Sequence, residues 1–323
     1  MSAPLLSIRG LRTVFPTRAG VVHAVDGVDL DVNDAECVGV VGESGSGKSV
    51  TFQSVLGLVK PPGRIEAGRI LFDGRDLARC TAQQMRSVRG GDIAMTMQDA
   101  LTALNPAFTV ETQIVETLQA HVPSMRTRAA ARARAIELLA RVGIPDPAIR
   151  LKQYPHQFSG GMRQRVMIAI ALACGPRLLI ADEPTTALDV TIQAQVLELL
   201  ARMRVESGMG MVLISHDLGV VAEQCDRVAV MYCGQVVEAG PTRDVIARPL
   251  HPYTQGLLRS LPSLSDPDRP IQPIDGQVPD LLGPPATCRF MPRCPRAAAA
   301  CETRVPLLPA GAGRNVRCVR TAG

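Results

Sequence analysis

The sequence predicts an α/β fold built on a parallel sheet, and three observations predict it. Short apolar runs (Val38-Gly39-Val40-Val41, Ile93-Ala94-Met95-Thr96-Met97, Leu178-Leu179-Ile180-Ala181 and Met211-Val212-Leu213-Ile214) read as buried strands. Segments of helical periodicity lie between them. Each run ends in residues able to do chemistry, and ligands bind at that edge of an open α/β sheet.

The first run leads into Gly42-Glu43-Ser44-Gly45-Ser46-Gly47-Lys48-Ser49, followed by the helical start Val50-Thr51-Phe52. Strand, glycine-rich turn and helix in that order form a phosphate cradle. Glycines let successive N–H groups point at phosphate oxygens, and the helix N-terminus adds positive partial charge. Lys48 supplies a cation for the β- and γ-phosphates, and the Ser49 hydroxyl suits Mg²⁺. A dinucleotide fold is the rival, but the third spaced glycine is missing and Lys-Ser stands instead. The motif predicts binding of a nucleoside triphosphate.

Composition sets the frame. A chain of 323 residues fits one large domain with an appendage, or two domains. Hydrophobic residues make up 46% and aromatics 3%, with no tryptophan, so aliphatic packing dominates the core. A net charge of +5, with the basic residues dispersed, is weak support for nucleic acid. The first residues show no signal pattern, and Val166–Gly175, about ten residues, is too short to span a bilayer. The expectation is a soluble, cytosolic chain. Cys37, Cys80, Cys174, Cys225 and Cys233 are scattered and read as plain thiols.

Residues 5–41 alternate as antiparallel strands, broken by Pro16 and Gly20. Phe15 either stacks on a nucleobase or is a core aromatic. Lys60-Pro61-Pro62-Gly63 ends the helix that follows the cradle, and 68–74 reads as a strand. Gln98 closes the next strand, as a magnesium ligand or a holder of the attacking water. Residues 110–143 read as helical, with arginines and alanines interleaved over 126–142. That favours a solvated amphipathic face over a nucleic-acid-binding helix.

Ser159-Gly160-Gly161 opens a long helix and makes a second anion-binding terminus, which suggests a partner's nucleotide. Asp182 suits the water shell of Mg²⁺, and Glu183 is placed to polarise a water. Thr185 to Asp189 leads into a helix with apolar residues at Ile192, Val196, Leu199, Leu200 and Met203. His216 follows its strand and can reach a γ-phosphate. Residues 228–240 read as a hairpin, and a boundary falls near 240–255, where proline density rises.

Taken together, these motifs resemble the ATP-binding subunits of ABC transporters. Gly42–Ser49 matches the phosphate loop, Gln98 the Q-loop and Ser159-Gly160-Gly161 the signature. Leu178–Glu183 matches the second nucleotide motif, Ala187-Leu188-Asp189 the D-loop, and His216 the switch histidine. The resemblance implies a RecA-like parallel sheet core with an antiparallel β subdomain and a helical subdomain at about 100–165. The cassette would occupy 1–245, and a small irregular cysteine-containing extension 246–323. Nucleotide contacts would come from Phe15, Gly42, Ser44, Gly45, Ser46, Gly47, Lys48, Ser49, Val50, Gln98 and Asp182. Asp189 would also belong to the nucleotide-binding set, and Ser159, Gly160 and Gly161 would meet the partner's ATP. Ser49, Gln98 and Asp182 would serve Mg²⁺, and Glu183, His216 and Gln98 catalysis.

Within that family the chain is similar to the oligopeptide/dipeptide importer branch. Gln98 to Pro106, Phe158 to Arg165, Ala181 to Val190 and His251-Pro252-Tyr253-Thr254 carry the likeness. Met162 stands where many family members have glutamine, but methionine is usual in this branch. The resemblance implies an importer ATPase at the cytoplasmic face of the inner membrane. Its partners would be a second, paralogous ATPase, two membrane permease subunits and an extracytoplasmic solute-binding protein, with no nucleic acid. Uptake of a nickel chelate or glutathione is the alternative within the branch. A soluble ATPase acting on ribosomes or DNA is disfavoured by the single cassette, and a module without turnover by Glu183 and His216.

The tail carries Cys288-x5-Cys294-x6-Cys301-x16-Cys318. By spacing alone it could be a zinc site, an iron–sulfur cluster or unlinked thiols, since the usual C-x2–4-C zinc spacing is absent. The branch shares Cys-Arg-Phe-x-Pro-Arg-Cys-Pro, and that resemblance implies a [4Fe–4S] cluster on all four cysteines. Arg317 departs from it, standing where a histidine is common.

Overall fold

A computed structural model describes residues 3–186, 188–260 and 272–320, so the D-loop residue Ala187 lies outside the described residues. The chain runs β1 (Leu6–Thr17), β2 (Gly20–Val32), β3 (Cys37–Val41), α1 (Lys48–Val55), β4 (Arg64–Phe72) and β5 (Arg75–Asp76). It continues through α2 (Ala82–Val88), β6 (Ile93–Thr96), α3 (Ala100–Ala103), α4 (Val110–His121), α5 (Arg128–Arg141), α6 (Pro147–Arg150) and α7 (Gly160–Leu172). Then come β7 (Leu178–Asp182), α8 (Val190–Ser207), β8 (Gly210–Ser215), α9 (Leu218–Gln224), β9 (Arg227–Tyr232) and β10 (Gln235–Pro241). The last elements are α10 (Thr242–Ala247), α11 (Pro252–Arg259), β11 (Leu308–Pro309) and β12 (Asn315–Val316). Two compact units result, one of 1–32, 37–78 and 213–323, the other of 33–36 and 79–212.

In the first unit β1 pairs antiparallel with β2 and with β4, giving the order β2-β1-β4-β5. The alternation of Leu6, Ile8, Leu11 and Val14 puts these side chains inside, each at most 1% exposed. In the same unit β3, buried at all its positions, lies parallel to β9. β9 and β10 form the expected hairpin around Cys233 and Gly234, both left-handed. The tail, expected to be irregular, also contributes strands: β12 pairs with β10, and β11 with β12.

The second unit pairs β6 parallel with β7 and packs helices of alternating apolar faces. The stretch 110–143, expected to be helical, forms two helices, α4 and α5, parted where Val122 turns extended before Pro123. Ile114, Leu118, Ala135, Leu139 and Ile168 are fully buried or nearly so. The arginines of α5 meet carboxylates: Arg128 and Arg132 reach Glu111, Arg134 reaches Glu137, and Arg141 reaches Glu206. Among the described residues no helix is long and apolar enough to cross a membrane.

Glu238 of β10, fully buried, gathers the start of the tail. It accepts from the N–H groups of Leu250 and His251, each at 2.9 Å, and from the Arg314 guanidinium. His251 caps α11, its Nδ1 accepting the Tyr253 N–H at 3.0 Å. Burial pushes the His251 imidazole down to about 3 and keeps it neutral. An unfolded histidine takes up its proton near pH 6.5, so between that pH and about 3 the unfolded chain binds the extra proton. Stability should therefore fall on acidification through this window, by on the order of 1 kcal/mol per pH unit from this residue. Urea unfolding of wild type and His251→Asn at pH 7, 6, 5 and 4 checks this, and the variant should show the shallower slope.

Candidate functional site

The first unit holds the phosphate loop between β3 and α1. Gly47 caps α1 at φ +96, and a Cβ there would fall on the Ala24 carbonyl oxygen, so glycine is required. Ser46 is buried and its carbonyl accepts the Gly234 N–H at 2.9 Å, while Ser44 and Gly45 stand exposed at the tip. Lys48 is only 5% exposed; its Nζ donates to the carbonyls of Gly42 (2.7 Å) and Glu43 (3.0 Å). The loop thus turns carbonyls inward onto the ammonium. Ser49 and Val50 are half-buried in the first turn of α1.

Phe15 is half-buried, and a Cβ on Gly63 would meet its ring at 2.4 Å. His216 is exposed just after β8, in a turn where Ser215 Oγ accepts the Asp217 N–H and Asp217 caps α9.

The second unit holds the carboxylates. Asp182 ends β7 and is 6% exposed. Glu183 follows in the left-handed region, φ +45, and its carboxylate is gripped at one oxygen. Gln98 Nε2 and Thr186 Oγ1 both donate to Oε2, each at 2.9 Å. Gln98 and Glu183, singled out separately in the sequence, are therefore in contact.

In the same unit Ser159 caps α7, accepting the Met162 N–H at 3.3 Å, and Ser159 and Gly160 are exposed. A Cβ on Gly161 would meet Ile192 Cγ2 at 2.7 Å, so the glycine lets α7 and the start of α8 approach closely. Asp189 caps α8, its Oδ1 accepting the Ile192 N–H at 3.0 Å.

The metal centre expected in the tail is not formed. Among the described residues, which include Cys288, Cys294, Cys301 and Cys318, no group of three or more His, Cys, Asp or Glu side chains could hold a metal ion. None of the four is joined in a disulfide. Burial pushes the thiols of Cys288, Cys294 and Cys318 up. The iron–sulfur and metal-binding expectations are corrected accordingly, leaving the reading as unlinked thiols.

Sequence reasoning missed the residues that surround the phosphate loop. Tyr232, Tyr253 and Phe290 pack ring on ring, with centroids 4.6 to 5.4 Å apart, and Arg293 meets Glu43. Tyr253 and Arg293 stood within patterns noted for family likeness, but nothing local in the sequence ties them to the loop.

Residues 25–186 match the model of the ABC transporter family, and residues 237–301 that of the oligopeptide/dipeptide transporter C-terminal region. The dipeptide transport ATP-binding protein DppD of Bacillus subtilis is 51% identical over 94% of this chain and 90% of its own length. DppD of Escherichia coli K12 is 47% identical, covering 97% of this chain and 96% of that protein. A putative peptide import ATP-binding protein of Brucella melitensis is 51% identical over 98% and 97%. Among solved structures, a dimeric post-hydrolysis ATP-binding cassette bound to ADP and Pi matches with a TM-score of 0.67 at 26% identity. That match covers 74% of this chain and 99% of the cassette. With a phosphate loop closed on its lysine, a glutamine-held glutamate after β7 and a capped signature helix, the chain belongs to the ATP-binding subunits of ABC transporters that carry the oligopeptide/dipeptide transporter C-terminal region.

Proposed function

We propose that this chain is the ATP-hydrolysing subunit of an ABC importer for dipeptides or oligopeptides. The likeness to peptide-transport ATPases along nearly the whole chain, tail included, supports the substrate class. The cassette takes residues 1–245, with its helical subdomain at about 100–165, and the extension takes 246–323.

The observation that carries the chemistry is the Glu183 carboxylate held by Gln98 and Thr186. A carboxylate positioned in this way can accept a proton from the attacking water. His216 supplies an exposed imidazole to the γ-phosphate. The loop from Gly42 to Ser49 and Val50 holds the phosphates by backbone N–H groups and Lys48, while Phe15 borders the base. Ser159, Gly160 and Gly161 contact ATP held by the partner ATPase, and Asp189 belongs to the nucleotide-binding set. Ser49, Gln98 and Asp182 each offer an oxygen donor of the kind magnesium takes, so the donor chemistry fits that ion. When bound with ATP, Mg²⁺ supplies neutralisation of the phosphate charge.

Glu183→Gln should lower ATP turnover by about 10²-fold or more while ATP binding persists. Steady-state hydrolysis together with nucleotide titration tests this, and near-normal turnover would remove Glu183 from the role.

The full complex pairs this chain with a second, different ATPase. It adds two permease subunits and an extracytoplasmic binding protein, and the ATPases sit on the cytoplasmic face of the inner membrane. Capture of the tagged Glu183→Gln chain from solubilised membranes with ATP should yield two polytopic proteins and the second ATPase. Recovery of copies of this chain alone with the permeases would replace the heterodimer by a homodimer.

A further inference from the structure

The phosphate loop is gripped from outside at one residue, Glu43. Its N–H donates to the Tyr253 hydroxyl at 2.9 Å, and its carboxylate takes both arms of Arg293, at 2.7 and 3.1 Å. The Arg293 side chain is 4% exposed and that of Glu43 29%, so the fork is partly shielded from water. The guanidinium is itself fixed: Nε donates to the Asp275 carbonyl and Nη2 to the Ile274 carbonyl, each at 3.0 Å. Its centre lies 5.8 Å from the centroid of the Tyr232 ring, which packs on Tyr253 and Phe290. Glu43 is also where the loop begins its turn. Its carbonyl accepts from the Ser46 N–H at 3.2 Å and from Lys48 Nζ at 3.0 Å.

We propose that Arg293 and Tyr253 of the C-terminal part are positioning residues for ATP, clamping Glu43 so that the phosphate loop is held ready for the triphosphate. The proposal rests on the assignment of ATP to that loop. A loop whose turn is fixed in advance loses less conformational freedom when the nucleotide binds. A carboxylate inside a phosphate-binding loop also repels the ligand, and Arg293 neutralises it and fixes its direction. Because of that repulsion, removing the acid should repair much of what removing the arginine damages.

The experiment is ATP titration and steady-state hydrolysis on the full chain, with thermal unfolding recorded for each variant. Arg293→Ala should raise the Kd and KM for ATP about tenfold, with kcat at saturating ATP little changed. Arg293→Lys should fall between, since an ammonium cannot reproduce the fork. The double variant Arg293→Ala/Glu43→Gln should bind ATP more tightly than Arg293→Ala alone. ATP affinity within twofold of wild type in folded Arg293→Ala, or a double variant no better than the single one, overturns the clamp. Should Arg293→Ala fail to fold, Arg293→Lys with and without Glu43→Gln gives the same reading. Lys48→Ala serves as the control: if it still binds ATP normally, the assignment of ATP to the loop fails, and the clamp is not what has been disproved.

Discussion

A nearly buried ammonium shapes the first unit. Lys48 is 5% exposed, and a cation so placed must find oxygen partners inside the protein or lose several kcal/mol of hydration. It finds the carbonyls of Gly42 and Glu43. Carbonyls turned inward oblige the intervening peptide units to present N–H groups outward, which is the arrangement an anion needs. The curvature then calls for the remaining features. A left-handed Gly47 fits under the Ala24 carbonyl, the Ser46 carbonyl ties to Gly234, and Glu43 is pinned by Tyr253 and Arg293.

The same unit shows how a tail with little regular structure keeps a defined place. Three of its arginines each end on a carboxylate that belongs to the preceding sequence: Arg293 on Glu43, Arg304 on Asp26 and Arg314 on Glu238. Asp26 and Glu238 are at most 1% exposed, so these pairs lie in surroundings where a mispaired charge is expensive. Apolar burial alone is a blunt guide for such a segment, since Phe290, Val305 and Val316 could pack in several ways. A fork of donors that must meet its own carboxylate admits few arrangements, which makes register and orientation the main gain from these pairs.

Legibility in the sequence followed distance along the chain. The phosphate loop is eight consecutive residues, and the strand before it and helix after it could be read from local pattern. Gln98, Asp182, Glu183 and His216 could be picked out because each follows an apolar strand, yet the Gln98–Glu183 contact spans 85 positions and only the fold reveals it. The break in the 110–143 helix had a local signal in Pro123 that the periodicity of the arginines and alanines overrode. The tail cysteines misled for the opposite reason. Four cysteines close in sequence suggest shared ligation, but ligation depends on where the sulfurs point, and among the described residues they form no group able to hold a metal ion. Arg293 meets its carboxylate across 250 positions, beyond any pattern along the chain.

Glu183 adds one more constraint. A glutamate in the left-handed region costs roughly 1–2 kcal/mol of backbone energy, and an ordinary turn would place glycine or asparagine there. Such strain persists only where surrounding contacts over-determine it. Here the buried strand β7 fixes the residue before, and the side chain is tied at Oε2 by Gln98 and Thr186. A glycine would relieve the backbone and delete the carboxylate. The strain is held in place by the buried strand before the residue and by the two hydrogen bonds of its side chain.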